Sequence, residues 1–261
     1  MINKIDRLRG GLVYSKALGM FNLNRGGGSC RRTPACADCY VNRSCQAYKL
    51  TKKAWTPGGT DDKNWSKASS EVFEGLGRVR IASRGEALRT KADVDRVVAW
   101  VKDNPDTLFW IPTRAIYKNR GKDLDQGHME YIEYHLASLP NARVLASLDP
   151  FTAHHWPMLE KRMWSTMFYE SKNMPKGYKF KGTHPAKGQD GAKIHFCTKT
   201  WDLYFADNGR VVGPKGSCAT CENGCFELSR VDVWLRNHAR AAKNSAVTDK
   251  IRAMESLDTE A

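Results

Sequence analysis

Hydrophobic and polar positions along the chain alternate between two rhythms. Short blocks rich in β-branched and aromatic residues recur at 17–24 ("ALGMFNLN"), 78–83 ("RVRIAS"), 107–113 ("TLFWIPT"), 142–149 ("ARVLASLD"), 166–171 ("TMFYES") and 192–198 ("AKIHFCT"). Most end at a turn or polar residue, and each reads as a short buried strand. Between them the apolar spacing shifts to that of a helix. In "TKADVDRVVAWVKDN" Val94, Val97, Val98 and Val101 make one stripe, Thr90 with Asp93 three residues on forms an N-terminal cap, and Asn104-Pro105 stops the helix. "GHMEYIEYHLASLP" repeats the theme through Met129, Ile132 and Leu136 up to Pro140, and "HHWPMLEKRMW" is a shorter third helix.

Strand and helix in alternation predict parallel βαβ units. Six such strands make either an open doubly wound sheet or a curved partial barrel, and periodicity alone does not choose. Residues 46–77 read as a polar, turn-rich excursion with a helical piece, and 172–191 as a long surface loop. The tail after about residue 229 is expected to be helical, with Val231, Trp234 and Leu235 facing inward.

Composition narrows the classes. A chain of 261 residues can bury one α/β core, and 41% hydrophobic with 27% charged residues excludes a disordered chain. No apolar run approaches the roughly 18 residues of a membrane span. The N-terminus "MINKIDRLRG" has no apolar centre of a secretory signal, so the expectation is no membrane and a cytoplasmic location. A net charge of +14 favours an anionic partner, with nucleic acid foremost. "KNMPKGYKFKGTHPAKG" interleaves Lys172, Lys176, Lys179, Lys181 and Lys187 with Tyr178 and Phe180, which suits a single strand as well as a solvated loop.

The candidate chemistry lies in eight cysteines. Cys30, Cys36, Cys39 and Cys45 are spaced C-x5-C-x2-C-x5-C, and Cys218, Cys221 and Cys225 are spaced C-x2-C-x3-C, with Cys197 upstream on the last strand block. A reducing compartment points such groups to metal before disulfide. Zinc prefers paired C-x2-C hooks, and each group has one hook plus outliers. Two iron–sulfur clusters are therefore the first reading, with zinc at one or both sites as the alternative. The first group follows the first strand, placing it on the C-terminal rim where α/β folds carry their chemistry. Gly85-Glu86, Thr113-Arg114, and Ser147 with Asp149 end the next three strands on the same rim, where they suit either a ligand pocket or ordinary turn and cap chemistry.

A cysteine loop directly after the first strand, then Gly-Glu ending the second, resembles the radical S-adenosylmethionine superfamily. More narrowly, "SCRRTPACADCYV", "RVRIASRGEA", "FWIPTRA" and "NARVLASLD" resemble, in this order, the phage-borne Gene Product Eighty-Eight domain, over about residues 14–226. The resemblance implies a partial (βα)6 TIM-like barrel over 1–196, a C-terminal cysteine-rich segment and helix over 197–261, and a bacterial host cytoplasm. It implies Cys30, Cys36 and Cys39 as ligands of a 4Fe–4S cluster, and an auxiliary cluster on Cys197, Cys218, Cys221 and Cys225. Gly85 and Glu86 would then meet the methionyl amino group, and Ser147 and Asp149 the ribose, of S-adenosylmethionine as candidate cofactor. An electron donor protein would be a partner. The first loop departs from the family's C-x3-C-x2-C, Asp38 stands where an aromatic is usual, and "RGEA" lacks the first glycine. A fourth ligand at Cys45 would close the cluster and leave a cofactor-free barrel for electron transfer, sensing or host takeover. The third reading is a basic nucleic-acid-binding protein with structural metal. Catalytic residues and substrate are not readable from the sequence.

Overall fold

A computed structural model describes residues 4–15, 19–30, 53–82, 84–149, 151–169, 193–196 and 231–235. Among the described residues ten strands lie in chain order: β1 (Val13–Ser15), β2 (Met20–Leu23), β3 (Arg78–Ile81), β4 (Leu108–Thr113), β5 (Tyr117–Lys118), β6 (Asp123–Leu124), β7 (Ala142–Leu148), β8 (Ser165–Tyr169), β9 (Lys193–Phe196) and β10 (Val231–Leu235). Eight of them form one sheet in the order β1-β2-β3-β4-β7-β8-β10-β9, and β5 with β6 makes a separate two-stranded hairpin. All pairings in the large sheet are parallel except β1 with β2. The fold is α/β with a mostly parallel sheet. All six expected strands are present within a few residues of their sequence blocks.

Helices among the described residues include α1 (Lys4–Arg9), α2 (Thr60–Lys67), α3 (Lys91–Asp103), α4 (Gln126–Ile132) and α5 (Trp156–Lys161). In α3 the expected cap forms as a reciprocal box. Thr90 Oγ1 accepts from the Asp93 N–H at 3.2 Å, and Asp93 Oδ2 accepts from the Thr90 N–H at 3.1 Å. Val94, Val97, Trp100 and Val101 are buried, while Val98 packs at the margin. Trp100 meets Trp65 of α2 edge-on at 5.1 Å and Phe73 at 5.4 Å, and Phe73 in turn meets Phe109 of β4 at 5.3 Å. This aromatic chain ties two helices to the centre of the sheet. The second expected helix is shorter than its apolar period suggests, because α4 gives way to a π turn over Glu133–Ala137. There Glu133 accepts from Arg162 Nε at 2.9 Å and from the indole N–H of Trp164, fixing that turn against the start of β8.

The strands have two unlike faces. Leu23, Val79, Ile81, Phe109, Ile111, Val144, Ala146 and Leu148 share one apolar cluster with Trp65 of α2, Val94 and Val101 of α3, Met129 and Ile132 of α4, and Leu159 of α5. Register places all of those strand residues on one side of the sheet. The alternate positions Asn22, Arg80, Trp110, Leu145, Ser147 and Met167 belong to none of it, although all but Arg80 are buried. Arg80 lies across the Trp110 ring at 4.4 Å. Four helices therefore cover one face, and the other is partly polar.

One expectation fails. Residues 231–235, read as the start of a helix, form β10 instead and insert between β8 and β9, with Asp232 opposite both Thr166 and Ile194. Val231, Trp234 and Leu235 carry helical spacing, but "VDVWL" also alternates with β-branched residues, and two unpaired strand edges decide between the two.

Candidate functional site

The chain leaves β2 through Asn24 and Arg25 into a tight turn over Gly27–Ser29 that ends at Cys30. Each step is held by the rim of β3 or by α2. The Arg25 N–H donates to the Arg84 carbonyl at 3.0 Å, and the Arg84 N–H donates back to Asn24 Oδ1 at 3.1 Å. Asp62, in the first turn of α2, accepts from the Gly26 N–H at 2.8 Å. Ser29 Oγ donates to the Gly26 carbonyl at 2.7 Å and accepts from the Glu86 N–H at 2.8 Å. The Cys30 N–H closes the turn onto the Gly27 carbonyl at 3.2 Å. Ser29 thus meets Gly85-Glu86, and Cys30 follows it one residue on.

Gly85 has φ +80, and a Cβ there would lie 2.3 Å from the Arg25 carbonyl oxygen and 2.9 Å from Ser29 Oγ. Both the left-handed backbone and the close approach demand glycine. Glu86 is 4% exposed. Its Oε1 accepts from Thr113 Oγ1 at 2.8 Å and the Leu88 N–H at 3.0 Å, and its Oε2 accepts from the Arg114 N–H at 2.7 Å. The carboxylate bolts the end of β3 to the end of β4. Arg114 continues the chain, its Nη1 donating to Asp149 Oδ2 at 2.6 Å after β7. Asp149, 2% exposed, uses Oδ1 to accept from the Phe151 and Thr152 N–H groups at 2.8 and 3.1 Å.

The structure therefore brings Cys30, Gly85, Glu86, Thr113, Arg114 and Asp149 onto one continuous rim. Ser147 is buried below the rim, on the face opposite the described helices. Cys36, Cys39, Cys45, Cys197, Cys218, Cys221 and Cys225 lie outside the described residues, as does the lysine-rich 172–187 loop. Among the described residues no three His, Cys, Asp or Glu side chains gather as a metal site, and no helix is long and apolar enough to cross a membrane.

Other rim residues escaped the sequence reading. Arg25 bridges Asp93 Oδ2 at 2.7 Å and the Glu86 carbonyl at 3.3 Å while stacking on Trp65 at 5.1 Å. Arg84 pairs with Asp61 at 2.8 Å. Asp61 is 2% exposed, and its second oxygen, like Arg84 Nε and Trp55 Nε1, has no partner among the described residues. Burial pushes the Asp61 carboxyl up against the opposing pull of Arg84. The acidic first turn of α2, "TDD", was the available signal, but it reads equally as a helix-dipole preference.

Beyond Arg114 the β5–β6 hairpin rises from the same rim. Tyr117 at its base is buried, its phenol pushed upward chiefly by that burial. His155 stacks on Tyr117 with ring centroids 5.6 Å apart, and its Nε2 donates to the Gly121 carbonyl at 2.9 Å; His154 Nε2 lies 3.3 Å from the Lys122 carbonyl. The histidine pair buttresses a hairpin, and neither ring caps α5.

Comparison of the chain with family models, curated proteins and solved structures finds no match.

Proposed function

We infer that this is an iron–sulfur protein whose sheet curls into a partial (βα)6 barrel, with a 4Fe–4S cluster held at the rim by Cys30, Cys36 and Cys39. The observation that carries the reading is the clamp of Ser29, the residue before Cys30, onto the Gly85-Glu86 turn at the carboxyl end of parallel strands. Among the described residues the helices that pack on the sheet lie on one face, which supports the curl, because a flat doubly wound sheet is covered on both. The donor chemistry fits a soft iron cluster, with Cys197, Cys218, Cys221 and Cys225 assigned to a second one.

The reading favoured first is a radical S-adenosylmethionine-type enzyme. When bound, the cluster and sulfonium would supply one-electron reduction and hydrogen abstraction from a substrate at the mouth. The chain's own part is positional. Gly85 allows backbone to approach within contact of Arg25, Glu86 and Asp149 brace three strand ends, and Thr113 and Arg114 are the groups they hold. A second reading, a cluster-bearing barrel without that cofactor, is favoured by one observation. Every oxygen of Glu86 and Asp149 already accepts from the protein.

Anaerobically purified protein is expected to be brown, to contain iron with acid-labile sulfide, and to show a reduced-cluster EPR signal. Replacing Cys30, Cys36 and Cys39 by serine should remove about four iron atoms per chain. Colourless protein without iron would end the reading. Adding S-adenosylmethionine separates the two versions: a shifted EPR signal with 5′-deoxyadenosine release selects the enzyme. An unmoved signal, with cluster loss in Cys45→Ser, selects the cofactor-free barrel.

A further inference from the structure

We propose that the β5–β6 hairpin is a finger that grips the phosphate backbone of a nucleic-acid strand at the mouth of the sheet. The inference goes beyond the cluster reading and does not depend on it. The hairpin follows β4 directly at its carboxyl end, beside the Arg114–Asp149 pair, and its tip "KNRGK" presents Lys118, Arg120 and Lys122 to solvent. One acid in the hairpin offsets them, Asp123, and it already accepts from Asn119 Nδ2 at 2.5 Å.

The backbone of the tip supplies the second observation. Asn119, Arg120 and Gly121 are left-handed in succession, at φ 51, 55 and 93. Asparagine and glycine tolerate this region, but arginine does not favour it. The other exposed residue of this kind, Met163 at φ 62, ends α5 and is offset by two capping bonds, from its own N–H to Glu160 and from the Trp164 N–H to Leu159, each 2.9 Å. Arg120 has an exposed side chain that fills no core, on a tip closed by the Lys122 N–H to the Asn119 carbonyl at 3.1 Å. A glycine would serve the turn's backbone better.

The finger is also made stiff. His155 and His154 reach from the loop after β7 to the Gly121 and Lys122 carbonyls, so two strand ends hold it upright. His154 leaves its ring exposed beside the cations, where an unstacked base can lie. Three exposed cations at one buttressed tip suit a chain of phosphates, and the net charge of +14 draws such a polyanion in.

The test uses the full chain and a labelled mixed-sequence single-stranded DNA of about 20 nucleotides, long enough for one site. Binding is followed by fluorescence anisotropy across a salt series, alongside thermal melting. Arg120→Gly is expected to weaken binding roughly three- to tenfold and to lower the log–log salt slope by about 0.7, while melting stays level or rises. The Lys118→Ser, Lys122→Ser double variant should lower the slope by about twice that, and Lys102→Ala on α3 should leave it alone. Absent binding, wild-type slopes in both hairpin variants, an equal drop in Lys102→Ala, or a lower melting temperature for Arg120→Gly would each overturn the proposal.

Discussion

Gly85 carries the tightest constraint at the rim. A methyl group there meets the Arg25 carbonyl at 2.3 Å, and neither backbone segment can retreat because Arg25 and Arg84 are hydrogen-bonded across the gap. Gly85→Ala is expected to destabilise the protein by roughly 2–4 kcal/mol, measured by chemical denaturation, since left-handed strain adds to the clash. Asp61 tests the electrostatics. Its folded carboxyl titrates above the ordinary range, so the folded state binds the proton more tightly than the unfolded chain does. Its contribution to stability is therefore greatest at low pH and falls as pH rises through that elevated range. Asp61→Asn should flatten this decline. The wild-type-minus-variant stability difference, followed from about pH 4 to pH 8, should fall toward neutrality, and a rising difference would contradict the sign.

At the scale of elements, α3 is the best-specified unit, and its cap and stripe were legible because both are local. Thr90→Ala removes the hydroxyl half of the capping box, leaving the Thr90 N–H bond to Asp93, and is expected to cost about 1 kcal/mol, a fall of roughly 2–4 °C in Tm. Trp100→Ala should cost more, on the order of 3–5 kcal/mol, because the ring joins Trp65 of α2 to Phe73, which in turn meets Phe109 of the sheet. The π turn after α4 was not legible. Its apolar spacing continues a regular helix, and only the arrival of Arg162 and Trp164 from thirty residues on selects Glu133 as the point of departure. The β5–β6 hairpin escaped for a similar reason. Two-residue strands have too few positions to show a period, and "NRG" does not advertise two left-handed residues before its glycine.

For the whole molecule, β10 sets the order of the sheet. It lies between β8 and β9 and pairs with both, so β9 has no other partner among the described strands. A chain ending at residue 230 is expected to lose cooperative thermal unfolding or solubility, as two exposed strand edges replace two ladders. A tail that merely decorated the fold would leave the melt unchanged.

What the sequence determined by itself was local or periodic. Strand blocks, the amphipathic stripe of α3, its cap, the parallel alternation and the strand-end position of Cys30, Gly85 and Glu86 all follow from side-chain period and turn chemistry, which act over a few residues. Tertiary structure alone decided which polar groups at those strand ends meet. Glu86 finds Thr113 and Arg114, Arg114 finds Asp149, and Asp61 finds Arg84 only when the sheet sets its neighbouring strands side by side. It also turned 231–235 from helix to strand, because open hydrogen-bonding edges on β8 and β9 outweigh a weak local preference.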